Sequence, residues 1–327
     1  MSSAWDFRSF LSTPSSSCTV PQTFHQPTAE ENVVLERVIT YFGKEGYDVP
    51  GSESGERGGK SGLTDWEMMF LSREGIIRFL VATKWDENAT IKRLEKCLAW
   101  RRKEGIDDLQ MIADKVEAEY AKTGGQLLLG YTKQSQPVIV MQVNKRDTPP
   151  SYTGLLQLFF LLERSMDLMP PGVTKTSFIV DFIGKRKYNT PISLAREWVN
   201  VLQDCYPERL AVGAIVNIPW VINMFLQAVY VFLDPVTKSK IVLNPGLKPS
   251  SSPAETWPPA SLAEVIPPDQ LLKQYGGERE LEWTEETHRE YWSALVGVCS
   301  ERRRKFREKW RAMGGGVGRS EFEFKMV

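Results

Sequence analysis

Apolar positions recur at helical spacing through the first third of the chain. Val34, Leu35, Val38 and Phe42 predict a helix over about 30–42. Thr64 or Asp65 caps a helix running through Met69. Ile76, Ile77, Phe79 and Leu80 mark a second, ending near Lys84, and Ile91, Leu94 and Leu98 form the stripe of a third, ending near Trp100. These three read as a small helical module, apolar inside and polar outside. From about Gln126 the grammar changes. PVIVMQV (137–143), SFIVDF (177–182) and GAIVNI (213–218) are short, β-branched, nearly continuous apolar runs. Helical stretches at 153–169 and 193–205 separate them. That alternation predicts right-handed crossovers and a mainly parallel sheet with both faces covered. A helix over 221–233, a short fourth strand at 241–243 and one long tail helix from Glu285 to Met313 complete the pattern.

Polar composition fills the gaps. Residues 1–27, rich in Ser, Thr and Pro, read as a loose arm; VPGSESGERGGKSG (49–62) reads as a mobile linker, and 245–268 as a loop. GGKS at 58–61 imitates the end of a phosphate-binding loop, but Ser54 stands where that loop needs glycine and no strand precedes it. The 41 basic residues balance the 41 acidic ones, so no global field favours nucleic acid. The four cysteines are far apart, forming no metal or disulfide framework, and free thiols fit a reducing compartment. Neither of the two histidines has a partner at metal spacing, and no G-x-S-x-G elbow is present. No apolar run is long enough to span a bilayer, and the first residues lack the pattern of a signal peptide.

Three features suggest chemistry. In PWVINMFLQAVYVFLD (219–234), Asn223 and Gln227 are the only strongly polar side chains before Asp234. A helix apolar all round is either buried or faces lipid. Next, Asp234 and Pro235 suit the N-cap and first position of a short helix, which sets Thr237 and Lys240 on one face. A hydroxyl beside an ammonium suits a phosphodiester; the alternative is a capped turn with solvated lysines. Finally, Tyr206-Pro207-Glu208-Arg209 enters the third strand. A carboxylate there suits vicinal hydroxyls of a sugar or cyclitol; the alternative is a surface Glu208–Arg209 pair.

RFLVATKWDENATIKRLEKCLAWRRKEGI (78–106), YPERL (206–210) and FLDPVTKSKI (232–241), in this order and spacing, resemble the CRAL-TRIO lipid-binding family and its yeast-type phosphatidylinositol-transfer branch. The resemblance runs from about Thr64 to Gly277. It implies an α/β fold: a helical N-terminal lobe (64–106), then a mainly parallel-sheet lobe (107–280) enclosing an apolar lipid cavity. These lie between an arm, helix and linker (1–63) and a C-terminal helix and tail (281–327). It implies phosphatidylinositol binding at Glu208, Thr237 and Lys240, with Lys84 near the head group or gate. Thr83 departs from the branch, which has arginine there. Val221, Met224, Phe225, Ala228 and Phe232 fall on the implied gate helix. At the two positions where relatives that also carry phosphatidylcholine have hydroxyl residues, this chain has Thr176 and Phe178. That resembles the fungal subgroup without phosphatidylcholine and implies a more apolar second ligand, such as a sterol.

The implied function is non-enzymatic. A monomer in the cytoplasm holds one phospholipid, needs no cofactor or metal, and exchanges its lipid at membranes such as the endoplasmic reticulum by peripheral association. The alternative is a lipid sensor that presents phosphatidylinositol to a lipid-modifying partner enzyme. In the tail helix, Trp292, Leu295, Val296, Cys299, Phe306, Trp310 and Met313 share a stripe with basic residues beside it. Such a stripe lies on an anionic membrane or, the favoured reading, docks on its own domain.

Overall fold

A computed structural model describes residues 5–20, 24–50, 62–119, 121–185, 187–220, 222, 224, 226, 231–233, 235–246 and 261–327. In chain order the labelled helices are α1 (Phe7–Ser12), α2 (Ala29–Phe42), α3 (Asp65–Phe70), α4 (Arg73–Ala82), α5 (Glu87–Glu104), α6 (Leu109–Glu119), α7 (Tyr152–Leu168), α8 (Ile192–Cys205), α9 (Pro235–Ser239), α10 (Leu262–Val265), α11 (Glu285–Ala312) and α12 (Glu321–Phe324). The strands are β1 (Gln126–Tyr131), β2 (Pro137–Gln142), β3 (Thr176–Asp181), β4 (Leu210–Val216) and β5 (Ile241–Leu243). Two compact units form: one from residues 1–21, 112–200 and 209–300, the other from 22–111, 201–208 and 301–327.

The first unit is built on a five-stranded sheet in the order β1-β2-β3-β4-β5. β1 runs antiparallel to β2, and β2 to β5 run parallel. The helix-strand alternation read from the sequence is therefore present, with β1 as an additional hairpin partner. Gly130 lies at φ +83°, where a Cβ would fall 2.2 Å from the Gln270 carbonyl oxygen. Only glycine satisfies both demands. α7 is buried from Leu156 to Leu168, with Arg164 paired to Asp167 inside, and is a core crossover.

The arm prediction is corrected in part. Residues 7–12 form α1, whose Phe7 and Leu11 are buried, and the Tyr131 hydroxyl donates to the Leu11 carbonyl at 2.6 Å. The linker prediction falls mainly on 51–61, outside the described residues.

At the C-terminal end of β3, the fully buried Asp181 acts as a hub. Its Oδ1 accepts from the Ile183 amide and the Asn217 side chain, both at 2.8 Å, and its Oδ2 accepts from the Tyr275 hydroxyl at 2.8 Å. Burial first, and then the Asp181 charge, hold the Tyr275 phenol far above its ordinary range, so it stays a donor.

The second unit packs α2, α3, α4 and α5 together with the C-terminal segment. Thr28 and Thr64 close capping boxes, and Ser72 and Asp86 cap α4 and α5. Phe306 and Trp310 of α11 pack with Met69 and with Phe324 of α12. Buried Arg78 bonds Glu321 Oε2 through two nitrogens at 3.2 Å, and Lys325 reaches Glu321 Oε1 at 2.7 Å. In the first unit, Trp292, Leu295 and Cys299 of α11 are also buried. The α11 stripe is thus core, as the docking reading predicts, and is not available to a membrane.

Asp181→Ala orphans three donors at the strand end, each costing about 1 kcal/mol or more when buried. The variant is expected to lose about 3 kcal/mol of stability in urea titration. A loss of a few tenths would show that water replaces the carboxylate there.

Candidate functional site

A parallel sheet ordinarily has both faces covered. β3 departs from that. Its side chains alternate between faces, and Ser177, Ile179 and Asp181 are buried while Phe178 and Val180 are only half-buried. Register extends the contrast across the sheet. Ile139, Phe178, Gly213 and Ile241 lie in one cross-strand row, and Met141, Val180, Ile215 and Leu243 in the next. Ile139 and Ile215 are buried, but Met141, Phe178, Val180 and Ile241 are half-buried and Leu243 is exposed. Gly213 widens the first row, since a Cβ there would meet Ile241 Cγ1 only at 3.6 Å, an ordinary contact. Ser177, Ile179, Ala214 and Val242, which share the opposite face by register, enclose with Phe178, Leu262 and Ile266 a void of about 10 Å³. That is room for about one water, so this face is filled core. The Phe178 face is the less covered apolar face of the two.

The chain after β4 continues this apolar character. Residues 220, 222, 224 and 226 are helical. Trp220 and Met224 are 78% and 66% exposed, whereas Ile222 is buried. Phe232 and Leu233 pack against Ala195 and Val199 of α8, and the Arg196 guanidinium lies 5.3 Å over the Phe232 ring. Of the predicted gate residues, Met224 points outward and Phe232 packs inward on α8. Val221, Phe225 and Ala228 lie outside the described residues.

The sequence-predicted polar residues sit at strand and helix ends. Lys240 immediately precedes β5; its carbonyl accepts from the Gly213 amide at 2.9 Å, and its own amide donates to the Thr237 carbonyl at 3.1 Å. Thr237 and Lys240 are therefore brought together by the turn that follows α9. Glu208, half-buried, has φ +57°, a conformation costly for a residue with a side chain. Its neighbour Arg209 is buried and donates to the Thr174 carbonyl at 2.9 Å, holding the entry to β4. Glu208 counts with the second unit, and Thr237 and Lys240 with the first.

Thr83 and Lys84 follow α4 in the second unit. The Thr83 hydroxyl is occupied: it bonds the Phe79 and Leu80 carbonyls and meets the Thr90 hydroxyl at 2.5 Å. Lys84 is exposed, and both it and Trp85 take positive φ, at 54° and 63°. The Thr176 hydroxyl is also occupied, 2.7 Å from Ser165 Oγ of α7 in a fully buried position. Phe178 alone of the Thr176–Phe178 pair reaches the open face. Sequence reasoning missed the apolar rows themselves. Their alternation is hidden because the same strands are apolar on both faces.

The CRAL/TRIO domain profile matches residues 121–277, and the CRAL/TRIO N-terminal domain profile matches 23–96. "Phosphatidylinositol transfer protein PDR17" of Saccharomyces cerevisiae is 33% identical over 316 residues, covering 92% of this chain and 85% of that protein. This chain belongs to the CRAL-TRIO family. A CRAL-TRIO domain-containing protein of Schizosaccharomyces pombe is also 33% identical over 95% of the chain, which spans 29% of that protein's length. The "Sec14 cytosolic factor" of the same yeast is 27% identical over 62% of the chain and 73% of that protein. As in the family's two-part pattern, a helical N-terminal region precedes the mixed sheet. Among the described residues no helix is long and apolar enough to cross a membrane, and no group of residues is arranged to hold a metal.

Gly213→Ala fills unused space in a strand interior. It is expected to raise stability by about 0.5–1 kcal/mol, read from the urea midpoint. A destabilised variant would mean that the row is already closed by packing.

Proposed function

We propose that this chain is a phosphatidylinositol transfer protein, which holds one phospholipid against the Phe178 face of its sheet and exchanges it between membranes. The half-exposed apolar rows carry this reading. Taking a lipid with two chains of about 16 carbons into water would cost roughly 25 kcal/mol at ~0.8 kcal/mol per methylene. Only an apolar surface of that extent offsets such a cost. The printed name of the Saccharomyces relative supplies the ligand class.

In this reading the helix that begins at Trp220 is the gate, and it swings out at a membrane surface to let lipid pass. Thr237 and Lys240 bind the inositol phosphate, and Glu208 and Lys84 are the further head-group residues that the family resemblance implies. Thr83 adds nothing to phosphate binding, because its hydroxyl is engaged in the helix end. A charged hydrogen bond contributes about 1.5–3 kcal/mol, so the apolar rows decide whether a lipid is held and the polar residues decide which. Phe178 offers no hydrogen bond to a choline phosphate and favours an apolar second ligand of sterol type. The protein works as a cytoplasmic monomer and meets membranes only at their surface.

The test is transfer of fluorescent phosphatidylinositol between vesicles. Wild type is expected to transfer it. Lys240→Ala is expected to lose at least about tenfold, from one charged hydrogen bond. Gly213→Leu is expected to remain folded but to carry less lipid, because its side chain enters the row between Phe178 and Ile241. No transfer by wild type would end the reading. Undiminished transfer by Lys240→Ala would remove that residue from the head-group site.

A further inference from the structure

The parallel strands β2, β3, β4 and β5 all end on one edge of the sheet, at Gln142, Asp181, Val216 and Leu243. The loop that follows β3 there is unusual. Between Phe182 and Ile192 it carries Lys185, Arg186 and Lys187 and no acidic residue. Ile183 at its start is 52% exposed, and Lys185 and Lys187 are exposed. The loop is nevertheless held firmly. Asn144 Nδ2 donates to the Phe182 and Gly184 carbonyls at 2.7 and 3.2 Å. The Tyr188 hydroxyl donates to the Asp147 carbonyl at 3.0 Å, and Arg146 donates to Thr190 Oγ1 at 3.1 Å. A fastened backbone thus presents an apolar tip and two cations outward.

The neighbouring strand ends add to the same surface. Trp220 and Met224, which follow β4, are the exposed apolar residues described above. Buried Ile222, between them in sequence, lines a small cleft with Asn144, Arg146, Phe182, Tyr188 and Thr190. The helix bearing Trp220 therefore abuts the basic loop. Single exposed apolar residues are ordinary. A tryptophan, a methionine and an isoleucine gathered at one strand edge beside exposed cations match the requirements of an anionic lipid–water interface: apolar groups for the acyl boundary and ammonium groups for acidic head groups. Asp147 is the one carboxylate in the adjoining 143–151 stretch, against Lys145 and Arg146. The local balance therefore stays positive.

We propose that the β3–α8 loop, through Ile183, Lys185 and Lys187, together with Trp220 and Met224, docks the chain on an anionic bilayer and so selects which membranes it serves. This inference rests on the transfer function proposed above and adds the class of membrane to it.

Full-length protein is tested by flotation with phosphatidylcholine vesicles, with and without phosphatidylserine. Wild type is expected to bind the phosphatidylserine vesicles more tightly, with the difference shrinking as salt is raised. Each lysine near an anionic surface is worth about fivefold in binding, so Lys185→Ala/Lys187→Ala should bind these vesicles roughly 30-fold more weakly and neutral vesicles unchanged. Lys185→Arg/Lys187→Arg, which keeps the charge, should bind as wild type does. Ile183→Ser should weaken binding to both kinds of vesicle. Binding indifferent to phosphatidylserine, or a double alanine variant equal to wild type, would overturn the docking surface even if phosphatidylinositol is transferred normally. Conversely, lysine-dependent binding by a wild type that transfers no phosphatidylinositol would uphold the surface while the transfer reading falls.

Discussion

The rest of the first unit depends on an imbalance between the two faces of β3. Its strand neighbours β2 and β4 are parallel to it, so its side chains are held in fixed rows and neither face can turn away from its layer. On one face the protein covers itself: Asp181 gathers Tyr275 and Asn217, and residues 261–266 close over Ile179 and Ala214. On the other, the rows through Phe178 and Val180 stop short of full burial. The polar Ser177 and Asp181 of β3 lie on the covered face, where they have partners. The Thr176 hydroxyl, which begins the open face, is withdrawn into a bond with Ser165. A ligand on the open face therefore meets hydrocarbon along the strands and polar groups only at their ends. In the proposed function retention and recognition are separated in space, which would let the head-group residues vary without reducing the apolar area.

The second unit solves a different problem. Its N-terminal helices alone make a small module, and small modules bury too little surface to be stable unaided. The missing core comes from the far end of the chain, where Phe306, Trp310 and Phe324 meet Met69. Polar closure accompanies it. Glu74, whose carboxyl is pushed up chiefly by burial, accepts from the Ser320 hydroxyl and the Glu321 amide, and Arg78 pairs with Glu321. A buried pair of this kind fixes which segment docks more than it adds net stability, because desolvation cancels much of the attraction.

How much of this was legible follows from the physics of each signal. α2, α4, α5, α8 and α11 announce themselves because one wet face imposes a 3.6-residue period on the sequence. β2, β3 and β4 stand out as apolar runs for the opposite reason, being covered enough on both sides to exclude charge. That same property concealed the site. When Phe178 and Ile179 are both apolar, no pattern says which of them faces a ligand, and register across four strands is needed to decide. α1 was hidden in a Ser- and Pro-rich arm because Phe7 and Leu11, one turn apart, are too few to form a stripe. Glu208 and Lys240 stood out in the sequence with a bland alternative beside each, and only resemblance to a family favoured the binding reading. A carboxylate before one strand and an ammonium before another carry no periodic signal.

The two proposed ends of the sheet have a consequence for the path of a lipid. Lys240 stands at the N-terminal end of β5, whereas Trp220, Met224 and Ile183 follow the C-terminal ends of β4 and β3. Ile241 pairs with Gly213, so Lys240 lies level with Val212, about four residues or roughly 13 Å short of the Val216 end of β4 at about 3.3 Å per residue. A chain docked by its C-terminal edge, as proposed, would hold Lys240 about four residues of strand away from the bilayer. Lipid in the leaflet presents its head group outward, so in the proposed exchange it would enter head first and move along the apolar rows toward Lys240, with its acyl chains leaving the bilayer last. In that order the chains pass from hydrocarbon to the Phe178 face while the edge still covers the opening. The large cost of exposing them to water is never met in full. The reverse arrangement, with head-group residues at the docking edge, would require the acyl chains to lead through polar surroundings. In the proposed mechanism, the separation of charged and apolar groups along one short sheet therefore would set the direction of lipid entry and make contact with the membrane a condition for exchange.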